Sequence, residues 1–219
     1  MAPLFTGFRF GFGSGGGDSL IGTPYEGGFF AGYISHTADG VAIHGLIVAP
    51  AATGASGSPY VLSTYYQWNT TGTATSGTSS SFDGAANSAN MNNANHPAAQ
   101  FCEGLTIGGY SDWYLPARYE LDIAYENLKP TATGNSTSWG INDYSVPKRT
   151  VNRTSGAPAQ TSVAAFQSGG AEAFVADRHW SSTEFNASTA WTFDFTGGLQ
   201  ENLTKISTVR TRAFRKFAI

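Results

Sequence analysis

Charged side chains are scarce in this 219-residue sequence, where Asp, Glu, Lys and Arg together make up 12% of the residues. That share is about half of what is usual for a soluble domain. A chain with so little charge must limit non-specific association by other means. Two explanations fit. Either other copies or other proteins cover much of the surface, or the surface is rich in glycine and hydroxyl groups and has no partner.

The sequence also lacks a basic face. Its net charge is −3, and four of its twelve basic residues fall in the final strand-like run: Arg210, Arg212, Arg215 and Lys216. A local cluster of this kind is not the electrostatic footprint of a nucleic-acid-binding domain. We therefore expect no nucleic-acid partner.

Cysteine is nearly absent, since Cys102 is the only one. A single cysteine cannot form an internal disulfide or a cysteine-based zinc site, and a domain without disulfides favours assembly in a reducing compartment. The four histidines show no His-x-x-x-His or His-Glu-x-x-His spacing. His36 and His44 could approach each other across a hairpin, but two histidines without a third ligand are weak support for a metal site. We predict no metal and no cofactor.

Targeting and catalytic motifs are missing as well. Residues 1–20 contain no basic segment followed by an apolar one, which argues against a secretory signal, and no apolar run is long enough to predict a membrane span. There is no Gly-x-Ser-x-Gly elbow and no phosphate-binding loop. The carboxylate pairs Glu120/Asp122 and Asp177/Glu184 could support acid–base chemistry only if the fold placed them across a cleft. We predict that the protein is not an enzyme.

The first residues alternate phenylalanine with glycine, which is too apolar for an ordinary solvated tail. The phenylalanines are Phe5, Phe8, Phe10 and Phe12. The segment is either disordered or an arm that orders when its phenylalanines pack into a neighbouring subunit. We favour the arm, and we divide the chain into an anchoring arm over residues 1–25 and one domain over residues 26–219.

A hairpin is the clearest local prediction. The apolar runs Phe29 to Ser35 and Val41 to Val48 flank the favoured turn pair Asp39-Gly40. The segment 50–95 that follows is rich in Ser, Thr, Gly and Asn and predicts a partly ordered surface excursion.

Two helices are predicted in the middle of the chain. The first begins at Pro97, which suits the first helical position, and ends at Gly104. The second begins at Pro116, carries an apolar face that includes Leu121 and Leu128, and ends before Pro130. Strands are predicted over residues 179–183, 190–195 and 209–217, after a second irregular stretch at 130–178. The pattern predicts an α+β domain with a twisted antiparallel sheet, two helices on one side, long irregular loops, and its first and last strands close together.

These segments, taken in order, resemble a known family over roughly residues 26–217. The stretch GGYSDWYLP at 108–116, followed by Glu120, is similar to the family's Gly-Trp/Asp-Trp-x-Leu-Pro-x-x-x-Glu-Leu signature. The run WSSTE at 180–184, with Ala190-Trp191 and then Arg210 and Arg212, resembles its closing blocks. The family is the C-terminal domain of Legionella collagen-like adhesins, which is also common in bacteriophage structural proteins.

This resemblance implies a C-type-lectin-like fold and a binding or structural role in a bacteriophage virion, assembled in the host cytoplasm. Formylglycine-generating enzymes have a related fold, but their copper site needs a pair of cysteines, and this chain has only one. The Glu-Pro-Asn and Trp-Asn-Asp motifs of calcium-dependent lectins are also absent. We therefore expect any sugar contact to use aromatic and hydroxyl groups.

Most of the signature residues are expected to stabilise the fold. We expect Trp113, Trp180 and Trp191 in the core, and Asp112 to cap or brace the turn before the helix. For Arg210 and Arg212 the first expectation is a structural salt bridge to Glu120 or Glu184, and the second is binding of an anionic ligand. The full set of predicted structural residues is Asp112, Trp113, Leu115, Pro116, Glu120, Trp180, Trp191, Arg210 and Arg212.

Binding is expected in the loops 50–95 and 130–178, together with the surface near 181–205. The predicted ligand-binding residues are Tyr65, Tyr66, Trp68, Trp139 and Tyr144, which can act as amphipathic anchors among Ser and Asn contacts. The predicted function is a non-enzymatic tail-fibre, tail-tip or surface adhesin that binds a host surface glycan or protein. Its expected partners are other virion proteins and further copies of itself. The alternative is a head-decoration or cement protein that binds only neighbouring subunits.

Overall fold

The computed structural model describes residues 20–219, so Phe5, Phe8, Phe10 and Phe12 of the predicted arm lie outside the described residues, whereas the last two residues of that arm form the first strand of the domain. The strands are β1 (Pro24–Tyr25), β2 (Gly28–Ile34), β3 (His44–Val48), β4 (Ala55–Ser56), β5 (Tyr66–Gln67), β6 (Ser145–Val146), β7 (Arg178–Glu184), β8 (Thr189–Asp194), β9 (Leu199–Thr204), β10 (Thr208–Val209), β11 (Thr211–Arg212) and β12 (Phe214–Ala218). The α-helices are α1 (Ala51–Gly54), α2 (Gly84–Ala89), α3 (Pro97–Glu103) and α4 (Arg118–Leu128).

The main sheet joins the two ends of the domain. Its strand order is β1-β2-β3-β12, with β6 added to β2, and all these pairings are antiparallel. The predicted hairpin is confirmed, since Phe29 pairs with Val48 and Ile34 with His44. The predicted closeness of the first and last strands is also confirmed, because β12 pairs with β3 along its whole length.

A second sheet consists of three antiparallel strands, β7-β8-β9. The sequence predicted β7 and β8 but not β9, whose run LQENLT is mostly polar because one of its faces is exposed. The predicted strand over 209–217 is divided into β10, β11 and β12, which pair with β5, β4 and β3 respectively. The chain end therefore ties three separate parts of the domain together. The domain is thus mixed α+β, with mostly antiparallel strands in curled sheets and few helices.

Both predicted helices are present, and two shorter ones, α1 and α2, lie in the segment expected to be irregular. The predicted start of α4 was two residues early, because Ala117 is the N-terminal capping residue and its backbone N–H donates to the Glu120 carboxyl at 2.7 Å. Helix α4 packs on β2 and β8 with the predicted apolar face, including Leu121 and Leu128, fully buried. None of the helices in residues 20–219 is long and apolar enough to cross a membrane.

The long loops contribute to the core instead of lying over it. Trp68 and Met91, from segment 50–95, are fully buried beside Trp113 and Trp180. Phe166 and Phe174, from segment 130–178, are buried with the aromatic residues of α4 and β8. The expectation of a partly ordered surface excursion over residues 50–95 is therefore wrong for Trp68 and Met91.

Glu120 is fully buried, and its environment favours the neutral acid. Its carboxyl oxygens lie 2.9 Å from the Tyr114 hydroxyl and 2.7 Å from the Ala117 backbone nitrogen. Burial raises the pKa of Glu120 to about 8, which outweighs these hydrogen bonds. Neither arginine predicted to bind Glu120 contacts it.

Stability is expected to fall with rising pH because of Glu120. The unfolded carboxyl ionises near pH 4.5 and the folded one near pH 8, so the folded state holds an extra proton between these values. In Glu120→Gln this contribution is absent. We expect the variant to gain stability relative to wild type by up to about 1.4 kcal/mol per pH unit between pH 5 and 8, measured by urea denaturation. A difference that stays constant across this range would contradict the assignment.

Buried ion pairs hold the last strands to the loops, with partners that differ from those expected. Arg212 is fully buried and donates to the carboxylate and backbone carbonyl of Glu172, at 3.1 and 2.8 Å. Arg210 binds Asp177 at 2.5 Å. The predicted partner Glu184 instead binds Lys205 at 2.6 Å. The predicted pairings were wrong because the loop 168–177 brings its own carboxylates, Glu172 and Asp177, to the two arginines.

Arg212→Ala should destabilise the domain by about 3–5 kcal/mol, since it leaves the Glu172 carboxylate without its cation. The matched control is Arg178→Ala, which removes the exposed ion pair between Arg178 and Glu201 at 2.7 Å. We expect less than about 1 kcal/mol for that change. Denaturant unfolding of both variants measures the difference, and equal losses would show that the buried pair has no special importance.

Candidate functional site

A group of aromatic side chains lies on the surface where α4 begins beside the β7-β8-β9 sheet. The members are Arg118, Tyr119, Trp139, Tyr144, Phe185 and Trp191, and we call them the aromatic surface. The Trp139 and Trp191 rings lie 6.0 Å apart at 81°, and Phe185 meets Trp191 edge-on at 5.0 Å. Tyr119 stacks with Tyr144 at 5.8 Å. Phe185 is 49% exposed, and the other members are half-buried.

Arg118 lies at the centre of this group. Its guanidinium carbon is 3.9 Å from the centre of the Trp191 ring and 5.0 Å from that of Trp139. Such distances are favourable for cation–π contact. The Arg118 Nε donates to the side-chain oxygen of Gln200, and its backbone N–H donates to the Thr183 hydroxyl at 3.1 Å. Burial lowers the pKa of the Arg118 guanidinium from its ordinary value.

A buried ionic network lies beneath the aromatic surface and fixes it to α4. Gln200 donates to the fully buried carboxylate of Asp122 at 3.1 Å. Asp122 also pairs with Arg149 and Arg153. The backbone N–H of Arg153 in turn donates to the carbonyl of Trp139 at 2.8 Å. Because hydrogen bonds and ion pairs in the interior fix the side chains that form them, this network holds Arg118 and Trp139 in place.

Gly140 is required for the position of Trp139. Its backbone φ of +136° is one that residues other than glycine rarely adopt. A Cβ added at this position would lie 2.5 Å from the backbone nitrogen of Arg153. The chain can therefore pass close to Arg153 while it turns the Trp139 ring outward.

The indole N–H groups separate the two surface tryptophans from the three in the core. Trp68, Trp113 and Trp180 each donate to a backbone carbonyl, at 2.8 to 3.0 Å. Within residues 20–219, the indole nitrogens of Trp139 and Trp191 have no such acceptor. Since a tryptophan N–H is usually bonded when buried, these two are available to a ligand.

The neighbouring strand adds a polar side chain. Asn202 of β9 pairs directly across from Trp191 of β8, and Asn202 is exposed. Side chains at directly opposed positions point to the same face of a sheet. An amide with free donors and an acceptor therefore lies next to the tryptophan platform.

The structure brings together only two of the five predicted ligand-binding residues. Trp139 and Tyr144 belong to the aromatic surface. Tyr65 and Tyr66 lie elsewhere: the Tyr65 hydroxyl donates to the Ser58 carbonyl at 3.0 Å beside Arg210, and Tyr66 stacks on Phe101 at 5.1 Å.

Two tryptophans exchange the roles expected for them. Trp68 was predicted to bind a ligand, but its side chain is fully buried beneath Lys205, so that prediction is wrong. Trp191 was expected in the core, but it is half-buried at the surface. Trp113 and Trp180 are buried as expected. The sequence did contain a signal for the exposure of Trp191. Strand β9, which pairs with the strand of Trp191, is mostly polar, and this indicates that one face of the sheet is exposed.

Three other predicted structural residues, Leu115, Pro116 and Asp112, precede α4 in the chain. Leu115 and Pro116 are buried before α4. Asp112 does not cap the turn, because both of its oxygens accept hydrogen bonds from Arg215 of β12, at 2.7 and 3.1 Å. The signature therefore links the helix start to the last strand.

The histidines and carboxylates considered for chemistry are held by structural contacts. The rings of His36 and His44 do approach, at 4.9 Å, and burial and Lys216 lower the pKa of His36 to about 4. Across residues 20–219, no group of three or more His, Cys, Asp or Glu side chains could hold a metal ion. Asp177 and Glu184 each pair with a cation of their own.

A separate cavity of about 330 Å³ lies between α1 and the loop 168–176. Its walls are mostly small and apolar, with Tyr60 and Phe174 as the large side chains. The Tyr60 hydroxyl lies 3.0 Å from His179 Nε2, so its polar group is bonded within the protein. The cavity therefore offers fewer free polar groups than the aromatic surface does.

Neither a family model nor a curated protein matches the chain. The family resemblance of the sequence blocks stays a prediction.

The different environments of the tryptophans can be tested through stability. Trp180→Ala removes a fully buried side chain and should cost about 3–5 kcal/mol. Trp191→Ala removes a half-buried one and should cost about 1–2 kcal/mol, because only part of its contacts lie within the domain. Urea denaturation measures both values. A loss of stability in Trp191→Ala as large as that in Trp180→Ala would contradict the surface position of Trp191.

Proposed function

We propose that the chain is a non-enzymatic binding protein that uses the aromatic surface to recognise a glycan on a host cell. The observation that carries this proposal is the pair of half-buried tryptophans, Trp139 and Trp191, whose rings both contact Arg118. Binding sites typically combine an apolar platform with a few fixed polar groups, and the buried network beneath provides the fixed positions.

A sugar matches the chemistry of this surface. The C–H face of a pyranose ring can pack on an indole ring, while its hydroxyl groups accept hydrogen bonds from nearby donors. The free indole N–H groups and the Asn202 amide supply such donors at the edge of the platform. Neither contact requires calcium.

The setting that we propose is a bacteriophage virion, with the chain as a tail-fibre, tail-tip or surface adhesin and with a C-type-lectin-like fold. The sequence blocks at 108–120 and 180–212 support this setting through their resemblance to the adhesin family. In this proposal the part of the predicted arm that precedes β1 anchors the domain to other virion proteins or to further copies. Many copies on one particle make weak single sites effective.

Binding of the purified protein to intact candidate host cells tests this function. We expect the double variant Trp139→Ala, Trp191→Ala to lose at least about tenfold in affinity, because both faces of the platform are removed. Tyr65→Ala is the matched control, since Tyr65 is an exposed aromatic residue outside the aromatic surface. It should bind like wild type.

Two outcomes would contradict the proposal. If the double variant binds host cells as wild type does, the aromatic surface is not the site. If the double variant binds host cells normally but fails to enter particles, the aromatic surface contacts virion subunits. That outcome supports the decoration or cement alternative.

A further inference from the structure

Arg118 differs from the other cations of the domain in its partners. One of the twelve lysines and arginines, Arg9, lies outside the described residues. Of the remaining eleven, nine pair with a carboxylate. Lys129 donates instead to the carbonyls of Thr133 and Pro158, at 2.6 and 3.1 Å. Within residues 20–219, Arg118 alone among the arginines has no carboxylate partner.

The free part of Arg118 is the end of its guanidinium group. The Nε is taken by Gln200, and neither terminal nitrogen has an acceptor within the part of the chain that the structure describes. The nearest acid in the network, Asp122, is already shared by Arg149 and Arg153. The terminal N–H groups of this planar guanidinium therefore form an unused pair of donors next to the tryptophan rings.

An unpaired cation in this position is unfavourable for the free protein. Burial against two indole rings removes water from the guanidinium, which lowers the pKa of Arg118. A charge that has lost water is normally paired in proteins. The contact with Trp191 compensates part of this cost, and an anion from outside would compensate the rest.

We propose that the ligand of the aromatic surface is an acidic glycan, whose carboxylate binds the terminal nitrogens of Arg118 while its sugar ring packs on Trp191. This inference rests on the proposed function and names its substrate class. A carboxylate is planar and accepts two parallel N–H bonds from a guanidinium group. One free cation also matches one negative charge, which favours a carboxylate over a doubly charged phosphate.

The experiment compares each acidic sugar with its neutral counterpart. Oligosaccharides that end in glucuronic, galacturonic or sialic acid, and the same oligosaccharides with the carboxyl group reduced to an alcohol, are titrated into the protein. A phosphorylated hexose is the third probe. We expect wild type to bind at least one acid about tenfold or more tightly than its reduced form, because hydrogen bonds to charged groups are strong.

Variants assign the preference to Arg118. Arg118→Gln keeps a polar side chain, shorter than arginine and without the charge, and it should bind the acid and its reduced form equally. Arg118→Lys keeps the charge without the planar fork and should retain only part of the preference. Trp191→Ala should lose both ligands. Thermal melting of each variant shows that the domain remains folded.

The outcomes separate this inference from the proposed function. If acid and reduced sugar bind wild type equally and Trp191→Ala loses both, the glycan function stands and the acidic ligand is overturned. A preference for the phosphorylated hexose, or a preference for the acid that survives in Arg118→Gln, also overturns it. If no oligosaccharide binds, both the proposed function and the inference fail.

Discussion

Ion pairs and charged hydrogen bonds between a few cations and the long loops are the interactions on which this fold depends most. Lys129 holds the loop after α4 through two backbone carbonyls, and Arg212 holds the loop 168–177 through Glu172. Lys205 is fully buried and binds both Glu184 and the carbonyl of Thr73. The loops have little regular structure of their own, so these contacts replace the backbone ladders that a larger sheet would provide.

The few charged side chains of the domain are thus used mainly for ion pairs within the protein. Most of the described cations neutralise a nearby carboxylate within the domain. The aromatic surface depends on this arrangement, because Asp122 anchors Gln200 on one side and Arg153 on the other. Arg118 is positioned by the ionic network without being one of its ion pairs, so a change at Arg118 leaves those pairs intact.

Local elements of the fold could be predicted from sequence, but long-range partners could not. The hairpin and both main helices follow from turn residues, capping and apolar spacing within short windows, and these predictions were confirmed. The partner of Arg212 depends on where a distant loop passes, and no local pattern encodes that. For the same reason Trp68 and Trp191 were misplaced, since composition gives the tendency of tryptophan to be buried but not which copy the fold exposes. Trp139 reaches Trp191 only after α4, the loop 130–153 and the second sheet have come together.

A purely stabilising role for Arg118 would account for its stacking but not for its free donors. Cation–π contact at a partly exposed site contributes about 0.5–1 kcal/mol, which is comparable to an ordinary surface pair. The other buried arginines of this domain add carboxylates or carbonyls to their aromatic contacts. Arg212, for example, lies 4.6 Å from the Phe174 ring and also binds Glu172. Arg118 has the aromatic contacts without the anion, and the indole N–H groups beside it are unpaired within residues 20–219. Arg118, Trp139 and Trp191 are adjacent and all have N–H donors without a partner in residues 20–219, and a bound ligand would supply the missing acceptors.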